Sequence, residues 1–288
     1  MHRIECVIPA RNEEKYLPKT SEALVSQTIR PTRVIVINDG STDTTGEVAS
    51  KFGFETVCVE HRKPREKGSP ELAQLFNKGL EQVSPTAEYV MILGADHVLP
   101  NNYIERVIGK MKQQWVSLAS GVIAGEAAVT PRGSGRIADV KDWKESIGRL
   151  GFPLCYGFET YIVLKMMMKG FKVAVYRDIL SVTQRRTGGT TDYVSYGRGM
   201  RFLGYTPEYL SARALITAVK FRDLSKAAEM LAGYLSYHMH SDVSDYMTLK
   251  QRTLLVEYAR SPRRLLARAK ASFGRTFVPH QEENAPWP

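Results

Sequence analysis

Short apolar runs alternate with helix-like segments over the first hundred residues, and this alternation limits the fold more than any other feature. Four runs have the length and the β-branched content of buried strands, at 4–9, 34–38, 55–60 and 88–93. Segments with apolar residues at helical spacing lie between and after them, at 13–27, after Ser41, at 69–83 and after Asn101. Strands separated by helices form a mainly parallel sheet with helices on both faces, so we predict an α/β fold.

Polar residues follow three of the predicted strands. These segments are Pro9–Glu13, Asn38–Asp43 and Gly94–His97. In open α/β sheets, ligands bind in the crevice beyond the carboxyl ends of the strands. We therefore expect the three segments to meet at one rim and to form a ligand site there.

Four separated segments, in this order, resemble the family 2 glycosyltransferases of GT-A fold. They read VIPARNEE, VIVINDGSTDTT, KGSPELAQLFNKGLEQV and EYVMILGADHVLP. The resemblance implies a Rossmann-like GT-A enzyme that transfers a sugar, with inversion, from a nucleotide-sugar donor to an acceptor hydroxyl. It also implies a role in cell-envelope or glycan biosynthesis, with a growing glycan or a lipid-phosphate as acceptor.

The resemblance divides the chain into regions. It covers residues 1–190, of which 1–100 are expected to bind the nucleotide sugar and 101–190 to form the acceptor side. Beyond Tyr193 the sequence becomes helical and basic. We predict that residues 191–288 form a helical C-terminal extension, for which no family resemblance is found.

The resemblance also assigns donor-binding residues. It places the following residues at the donor: Pro9, Ala10, Arg11, Asn12, Glu13, Asp39, Gly68, Ala95 and Asp96. Asp39 is expected to accept a hydrogen bond from the N3–H of the base, although it could also serve only to cap a turn. For Asp43 we favour the structural interpretation, as a helix-capping residue.

Asp96 is the candidate metal ligand. A carboxylate after a central strand can hold Mg²⁺ or Mn²⁺, which bridges the two phosphates of the donor. The family usually has D-A-D here, but this chain has Gly94 in place of the first acid. Mg²⁺ often needs only one or two protein carboxylates, so a metal remains compatible with the change. His97 is either a nitrogen ligand, which would suit Mn²⁺, or a polar residue at the rim.

Glu159 is the candidate catalytic base. Inverting transfer requires the acceptor hydroxyl to lose its proton as it attacks. The family usually carries an acidic pair at the start of a helix, and here Glu159 is followed by Thr160. The alternative is that Glu159 only favours the helix N-terminus and that Asp139 or Asp142 acts instead.

Two adjacent arginines, Arg185 and Arg186, follow Gln184 in a segment that has only a weak match to the family. Their guanidinium groups could hold a diphosphate from a loop hinged at Gly188–Gly189. Closure of such a loop would exclude water from the activated sugar. A solvated basic loop explains the same residues equally well.

Charge and cysteine content bear on partners and location. The net charge of +10 favours an anionic ligand or surface, but basic and acidic residues are interleaved, so we do not expect nucleic acid as a partner. We hypothesise that the basic segment 261–273 attaches to an anionic membrane; a packed helix with a solvated face is the alternative. Three scattered cysteines favour a reducing compartment. We expect a cytoplasmic protein, with the inner face of the cell membrane as its other location.

Two other functions remain open. A nucleotidyltransferase would carry a Gly-rich basic phosphate loop after the first strand, and PARNEE is not such a loop. A non-catalytic nucleotide-sugar-binding protein would explain why Gly94 and Thr160 replace acids.

Overall fold

The computed structural model describes residues 2–61, 66–125, 130–131, 133–185 and 192–260. Its strands are β1 (Ile4–Ala10), β2 (Arg33–Asp39), β3 (Glu55–Val59), β4 (Tyr89–Ile92), β5 (His97–Val98), β6 (Leu118–Ile123), β7 (Arg136–Asp139) and β8 (Val173–Thr183). Its helices are α1 (Leu17–Val25), α2 (Thr45–Lys51), α3 (Pro70–Leu80), α4 (Tyr103–Gln114), α5 (Val140–Ile147), α6 (Phe158–Met168), α7 (Tyr193–Phe202), α8 (Pro207–Phe221), α9 (Leu224–Leu235) and α10 (Ser244–Arg260).

The strands form one sheet in the order β3-β2-β1-β4-β7-β6-β8-β5. The first four are parallel to one another, β7 is antiparallel to both of its neighbours, and β6 and β8 are again parallel. The predicted α/β fold is confirmed. The antiparallel strand β7 was not expected, because it directly follows a Gly-rich segment and its four residues are too few to show a clear period.

Several element boundaries differ from the predictions for reasons visible in the structure. The helix predicted from Glu13 begins at Leu17, since the preceding residues form a turn closed by the carbonyl oxygen of Glu13. Helix α2 begins at Thr45, and neither Ser41 nor Thr42 caps it, because both contact the turn after β1.

Apolar side chains fill both faces of the sheet. On β1, Ile4, Cys6 and Ile8 face α1, α2 and α4, whereas Val7 faces α3, α5 and α6. This is the alternation that a strand buried on both sides requires. Each fully buried large side chain stabilises the fold by about 1.5–3 kcal/mol. The sheet is therefore closely packed on both faces, and its strand ends have defined positions.

Helices α7 to α10 form the C-terminal part of the described chain, and the prediction of helical structure after residue 190 is confirmed as far as Arg260. Helices α7 and α9 are in close contact, because a Cβ on Gly197 would lie 2.0 Å from the carbonyl oxygen of Met230. A separate apolar cluster joins Leu164 of α6 to Val243 and Met247. Within the ranges given above, we find no helix that is both long and apolar enough to cross a membrane. The basic segment 261–273 lies outside the described residues.

Candidate active site

The carboxyl ends of β1, β2 and β4 lie side by side, because these strands are parallel neighbours. The segments Pro9–Glu13, Asn38–Asp43 and Gly94–His97 therefore share one edge of the sheet, as predicted. Pro9 is half-buried at this edge and Ala10 is buried. The edge carries a connected set of polar side chains.

Asn12 holds the turns after β1 and β2 together. Its side-chain oxygen accepts the backbone N–H of Thr42 at 2.8 Å, and its own N–H donates to the hydroxyl of Ser41 at 3.1 Å. The backbone of Asn12 is left-handed, with a φ of 54°, a conformation that asparagine tolerates better than most residues. The N–H of Glu13 donates to the Thr45 hydroxyl at 2.7 Å. The two turns thus form one fixed unit.

Asp43, two residues before α2, supports this unit. Its carboxylate accepts hydrogen bonds from the N–H of Glu14 at 3.1 Å and from Thr45. Partial burial acts against ionisation, but these hydrogen bonds outweigh it and lower the pKa of Asp43. The geometry agrees with the structural interpretation of Asp43.

Asp39 and Arg11 meet through a histidine. Asp39 is buried at the end of β2, and its carboxylate lies 2.9 Å from Nδ1 of His61. Arg11 contacts Nε2 of the same ring. The ring of His61 therefore connects Asp39 to Arg11. Gly40 permits the arrangement, since its φ is 60° and a Cβ there would lie 2.8 Å from the Cβ of His61.

Arg185 joins the turns after β1 and β4 by two ion pairs. Its guanidinium donates to Glu13 at 2.7 Å and to Asp96 at 2.9 Å. The same group lies 4.6 Å from the ring centroid of Tyr16. Gln184 positions it, because its backbone N–H donates to the carbonyl of Asp96 at 2.9 Å. Arg185 is therefore brought to the predicted site, while Arg186 lies outside the described residues.

The surroundings of Glu13 disfavour the charged form of its carboxylate. Its Oε2 atom is buried and accepts no hydrogen bond from the described residues. Burial raises the pKa of Glu13, the charges of Asp96 and Asp43 raise it further, and Arg185 acts in the opposite direction. A buried oxygen that accepts no hydrogen bond lowers the stability of the folded protein, and such groups are typical of ligand-binding sites.

Gly94 and His97 are held by serine hydroxyls. The N–H of Gly94 donates to Ser134 Oγ at 2.7 Å, and that oxygen lies 2.6 Å from Nδ1 of His97. On the other side, Nε2 of His97 lies 2.7 Å from Ser181 Oγ. His97 is 1% exposed, so it is neither a polar residue at the rim nor, with both ring nitrogens engaged, a metal ligand. It fixes the turn that carries Asp96.

Glu159 lies in the first turn of α6, close to the loop before β7. A Cβ on Gly133 would lie 2.0 Å from its Oε1 atom, so the carboxylate rests directly against the Gly133 backbone. The buried guanidinium of Arg136 donates to the carbonyl of Glu159 at 3.1 Å and to that of Pro131 at 3.0 Å. Burial lowers the pKa of Arg136, against the opposing charge of Glu159. Glu159 is thus held at a defined place.

The alternative bases lie elsewhere. Asp139 pairs with Tyr89, the first residue of β4, whereas Asp96 follows the other end of that strand. The carboxylate of Asp139 caps α5 by accepting the N–H of Asp142 at 3.0 Å. Both residues therefore belong to the opposite edge of the sheet. The geometry favours Glu159 over either of them.

Comparison with known protein families shows which family the chain belongs to. Residues 5–168, more than half of its length, match the model of glycosyl transferase family 2. The chain belongs to this family. It is 29% identical over 119 residues to the glycosyltransferase GlyA of Streptococcus pneumoniae serotype 4, a match that spans 41% of the chain and 16% of GlyA. It is 47% identical over 53 residues to a 4,4'-diaponeurosporenoate glycosyltransferase of Staphylococcus aureus, which spans 18% and 14% of the two proteins. The family 2 chain thus covers less than a fifth of either relative.

Solved structures share the fold of this family 2 chain. The mannosyltransferase PcManGT from Pyrobaculum calidifontis, in complex with GDP-Man and Mn²⁺, has a TM-score of 0.56 at 18% identity over 95% of this chain and 85% of that one. A fragment of S. aureus TarS, in complex with UDP-GlcNAc, has a TM-score of 0.54 at 15% identity over 81% and 71%. The GT-A fold is confirmed.

The remaining predicted residues of the family 2 chain act through their backbones. The carbonyl of Ala95 accepts the hydroxyl of Thr20 at 2.8 Å. The carbonyl of Gly68 accepts the N–H of Gly157 at 2.8 Å, which joins the loop before α3 to the start of α6. Both residues therefore lie at the rim and shape it, and their contact with a donor stays a prediction.

Three side chains of the site were missed by sequence reasoning, namely His61, Ser134 and Arg136. Each follows or begins a segment without a recognisable motif, and each acts through a partner distant in sequence. The one available signal was the pair of glycines around Ser134, which indicates a close backbone approach.

For a divalent cation, the family 2 chain offers mainly Asp96, whose side chain is 23% exposed. Among the residues that the structure describes, no group of three or more His, Cys, Asp or Glu side chains is arranged to hold a metal ion. One carboxylate is sufficient for Mg²⁺ or Mn²⁺ only when phosphate oxygens and water supply the other ligands. The residues present therefore fit a cation that is bound together with a diphosphate.

Proposed function

We propose that this family 2 chain is an inverting glycosyltransferase that moves a sugar from a nucleotide-sugar donor to an acceptor hydroxyl. The proposal rests on two ion pairs at the carboxyl ends of the strands, which join Arg185 to Glu13 and to Asp96. These ion pairs bring a guanidinium and two carboxylates together at the place where this type of fold binds ligands. The GDP-Man and UDP-GlcNAc complexes of PcManGT and TarS support a nucleotide sugar as donor.

The donor is held by the unit formed from the first two turns. Asp39 accepts a hydrogen bond from the base, and its contact with His61 keeps its carboxylate in position. Arg11, Asn12 and Glu13 surround the base and ribose. Arg185 pairs with the diphosphate, because guanidinium groups bind phosphate oxygens by two parallel hydrogen bonds.

Asp96 is the protein ligand of Mg²⁺ or Mn²⁺. The Mn²⁺ in the complex of PcManGT supports this assignment. When bound, the cation neutralises the charge that develops on the departing nucleoside diphosphate. The turn that carries Asp96 is fixed by His97 and Ser134, so the carboxylate is preorganised for this role.

Glu159 is the base. Its carboxylate receives the proton of the acceptor hydroxyl as the oxygen attacks the anomeric carbon, and the C–O bond to the diphosphate breaks on the opposite face. The new glycosidic bond therefore has inverted configuration. Gly133 lies against this carboxylate, and Arg136 holds the backbone of Glu159 through its carbonyl.

The regions of the chain follow from these roles. Residues 1–100 bind the donor, residues 101–190 form the acceptor side, and residues 191–288 form a helical, basic extension. The acceptor is a glycan or a lipid-phosphate, which places the protein in cell-envelope or glycan biosynthesis. The cytoplasm, at the inner face of the cell membrane, is the location that gives access to such acceptors.

A binding screen followed by two substitutions tests the proposal. Thermal stabilisation by UDP-, GDP- and dTDP-sugars, with and without Mn²⁺, identifies the donor, since a ligand that binds only the folded state raises the unfolding temperature. Asp96→Asn is expected to abolish the Mn²⁺-dependent part of this stabilisation. Glu159→Gln is expected to leave it unchanged and to lower sugar transfer by about 10²–10⁴-fold.

Glu145→Gln and Asp245→Asn are matched controls, because both side chains are exposed on helices. Wild-type transfer by both site variants would refute the assignment. Donor binding without any transfer or hydrolysis by the wild-type protein would instead identify a non-catalytic nucleotide-sugar-binding protein.

A further inference from the structure

An arginine and two tyrosines form a cluster beside the start of α6. The guanidinium of Arg198, on α7, donates to the hydroxyl of Tyr156 at 3.0 Å and lies 5.5 Å from the centroid of the same ring. The rings of Tyr156 and Tyr237 meet edge to face with their centroids 5.4 Å apart. All three side chains are only partly buried, so the cluster has an exposed surface.

This cluster lies next to the candidate base. Tyr156 precedes Glu159 by three residues, so their backbones are at most about 10 Å apart even if the chain is extended. Helix α7 is in direct contact with the intervening backbone, because a Cβ on Gly199 would lie 3.1 Å from the nitrogen of Gly157. The cluster and Glu159 therefore both adjoin the start of α6.

Arg198 carries a positive charge that the described residues do not neutralise. In the ranges given for the structure, no carboxylate forms an ion pair with it, whereas Arg33, Arg106 and Arg185 all have acidic partners. The hydroxyl of Tyr156 uses one of its five N–H donors. The remaining donors are presented by a guanidinium that Tyr156 already holds in place.

Apolar side chains border the cluster. Leu154 is 57% exposed two residues before Tyr156, and Met239 is 63% exposed, with its sulfur 3.7 Å from the hydroxyl of Tyr237. Tyrosine faces and exposed aliphatic groups bind the apolar faces of sugars or the start of an acyl chain. The surface thus combines a site for an anion with a site for apolar groups.

We propose that Arg198, Tyr156 and Tyr237 form the acceptor subsite of this chain, and that the acceptor carries a phosphate group near the hydroxyl that is glycosylated. The inference rests on the proposed transferase function and names the chemical class of its second substrate, the acceptor. Phosphate is favoured because it offers a planar guanidinium two oxygens at once and leaves a further oxygen for solvent. The phosphate belongs either to a soluble sugar or polyol phosphate or to a lipid headgroup.

Two probes separate these sources. Glycerol 3-phosphate represents a soluble phosphate, with glycerol as its uncharged control. Vesicles of phosphatidylglycerol in phosphatidylcholine represent the headgroup, with pure phosphatidylcholine as the control. Binding is measured by calorimetry for the soluble probe and by co-sedimentation for the vesicles. Binding of glycerol 3-phosphate alone indicates a soluble acceptor, and binding of the anionic vesicles alone indicates a lipid.

Arg198→Gln is expected to weaken binding of the active probe at least about tenfold, which corresponds to about 1.4 kcal/mol. Arg198→Lys keeps the charge but loses the second parallel hydrogen bond, so intermediate binding is expected. Arg177→Gln, a change of an exposed arginine on β8, is the matched control and should bind as the wild type does. Retention of binding by Arg198→Gln, or failure of the wild type to bind either probe over its control, would overturn the proposal.

Thermal stabilisation by the nucleotide sugar is measured on the same samples. Unchanged stabilisation in Arg198→Gln shows that the variant is folded and that the donor site is intact. If no nucleotide sugar stabilises the wild type, the proposed transferase function fails, whereas donor binding without phosphate binding removes only the acceptor subsite.

Discussion

Replacing Gly133 by alanine tests whether the position of Glu159 matters for transfer. A Cβ on Gly133 would lie 2.0 Å from Oε1 of Glu159 and 2.8 Å from its Cδ, whereas ordinary contacts begin at 3.4 Å. The nearest carboxylate oxygen must therefore retreat by about 1.4 Å. The atoms that must move are the far end of a flexible side chain, so the backbone need not shift and the fold should be retained.

The expected cost falls on the chemical step. A displacement of about 1 Å of a catalytic group can lower kcat about 10²-fold, which corresponds to about 2.7 kcal/mol of transition-state free energy. The KM for the nucleotide sugar should stay unchanged, since Gly133 and Glu159 do not hold the donor. Steady-state transfer assays at saturating donor, together with thermal unfolding, measure both quantities.

Gly109→Ala is the matched control. No atom lies within 4 Å of a Cβ at Gly109, which is in the exposed part of helix α4, so this change should leave kcat unaltered and stabilise the helix by up to about 1 kcal/mol. If Gly133→Ala transferred sugar at the wild-type rate while remaining folded, Glu159 could not be the base at its present position.

Three further outcomes are expected. The pKa of Glu13 in the folded protein is raised above its ordinary value of 4.5. Its contribution to the free energy of unfolding is therefore present below pH 4.5 and is lost as the pH rises through the folded-state pKa. Urea unfolding over this pH range should show the loss in the wild type but not in Glu13→Gln. Arg185→Gln removes the guanidinium that opposes the raised pKa of Glu13, so this pKa should rise further in the folded protein. An unchanged pKa by NMR titration would contradict the ion pair. Gly197→Ala brings a Cβ to 2.0 Å from a carbonyl oxygen of α9, so the free energy of unfolding should fall by about 1–3 kcal/mol while the stabilisation by the donor persists; an unchanged urea midpoint would contradict the close packing.

The sheet could be predicted from the sequence because its signals are local. The β-branched run that contains Val34 and Val36 can be buried on both faces only as an inner strand, and the polar residues that follow it must then reach the rim. The place of Asp39 and Asp96 at one edge follows from this order alone. By contrast, β7 was missed, since a four-residue segment with Arg136 at its start has no period that distinguishes it from a loop.

The contacts between side chains at the rim could not be predicted, because they join residues far apart in the chain. His97 illustrates the limit: its position after a strand indicated the rim, but its burial depends on Ser134 and Ser181, which lie 37 and 84 residues away. Arg185 was placed near a diphosphate by its charge. Its two carboxylate partners became visible only with the structure.

The glycine at position 94 is linked to Ser134, and this link explains how the site can dispense with the acid that the family usually has there. A Cβ at Gly94 would lie 3.1 Å from Ser134 Oγ and 3.2 Å from Oδ1 of Asp96, so a larger residue would press on both. Ser134 instead accepts the N–H of Gly94 and holds His97, which fixes the turn without adding a charge. The loss of one carboxylate makes the rim less negative, and Arg185 adds a positive charge to it. In the proposed function, a diphosphate would therefore meet less repulsion at this rim than beside two acids, and the guanidinium would supply part of the neutralisation that a cation provides.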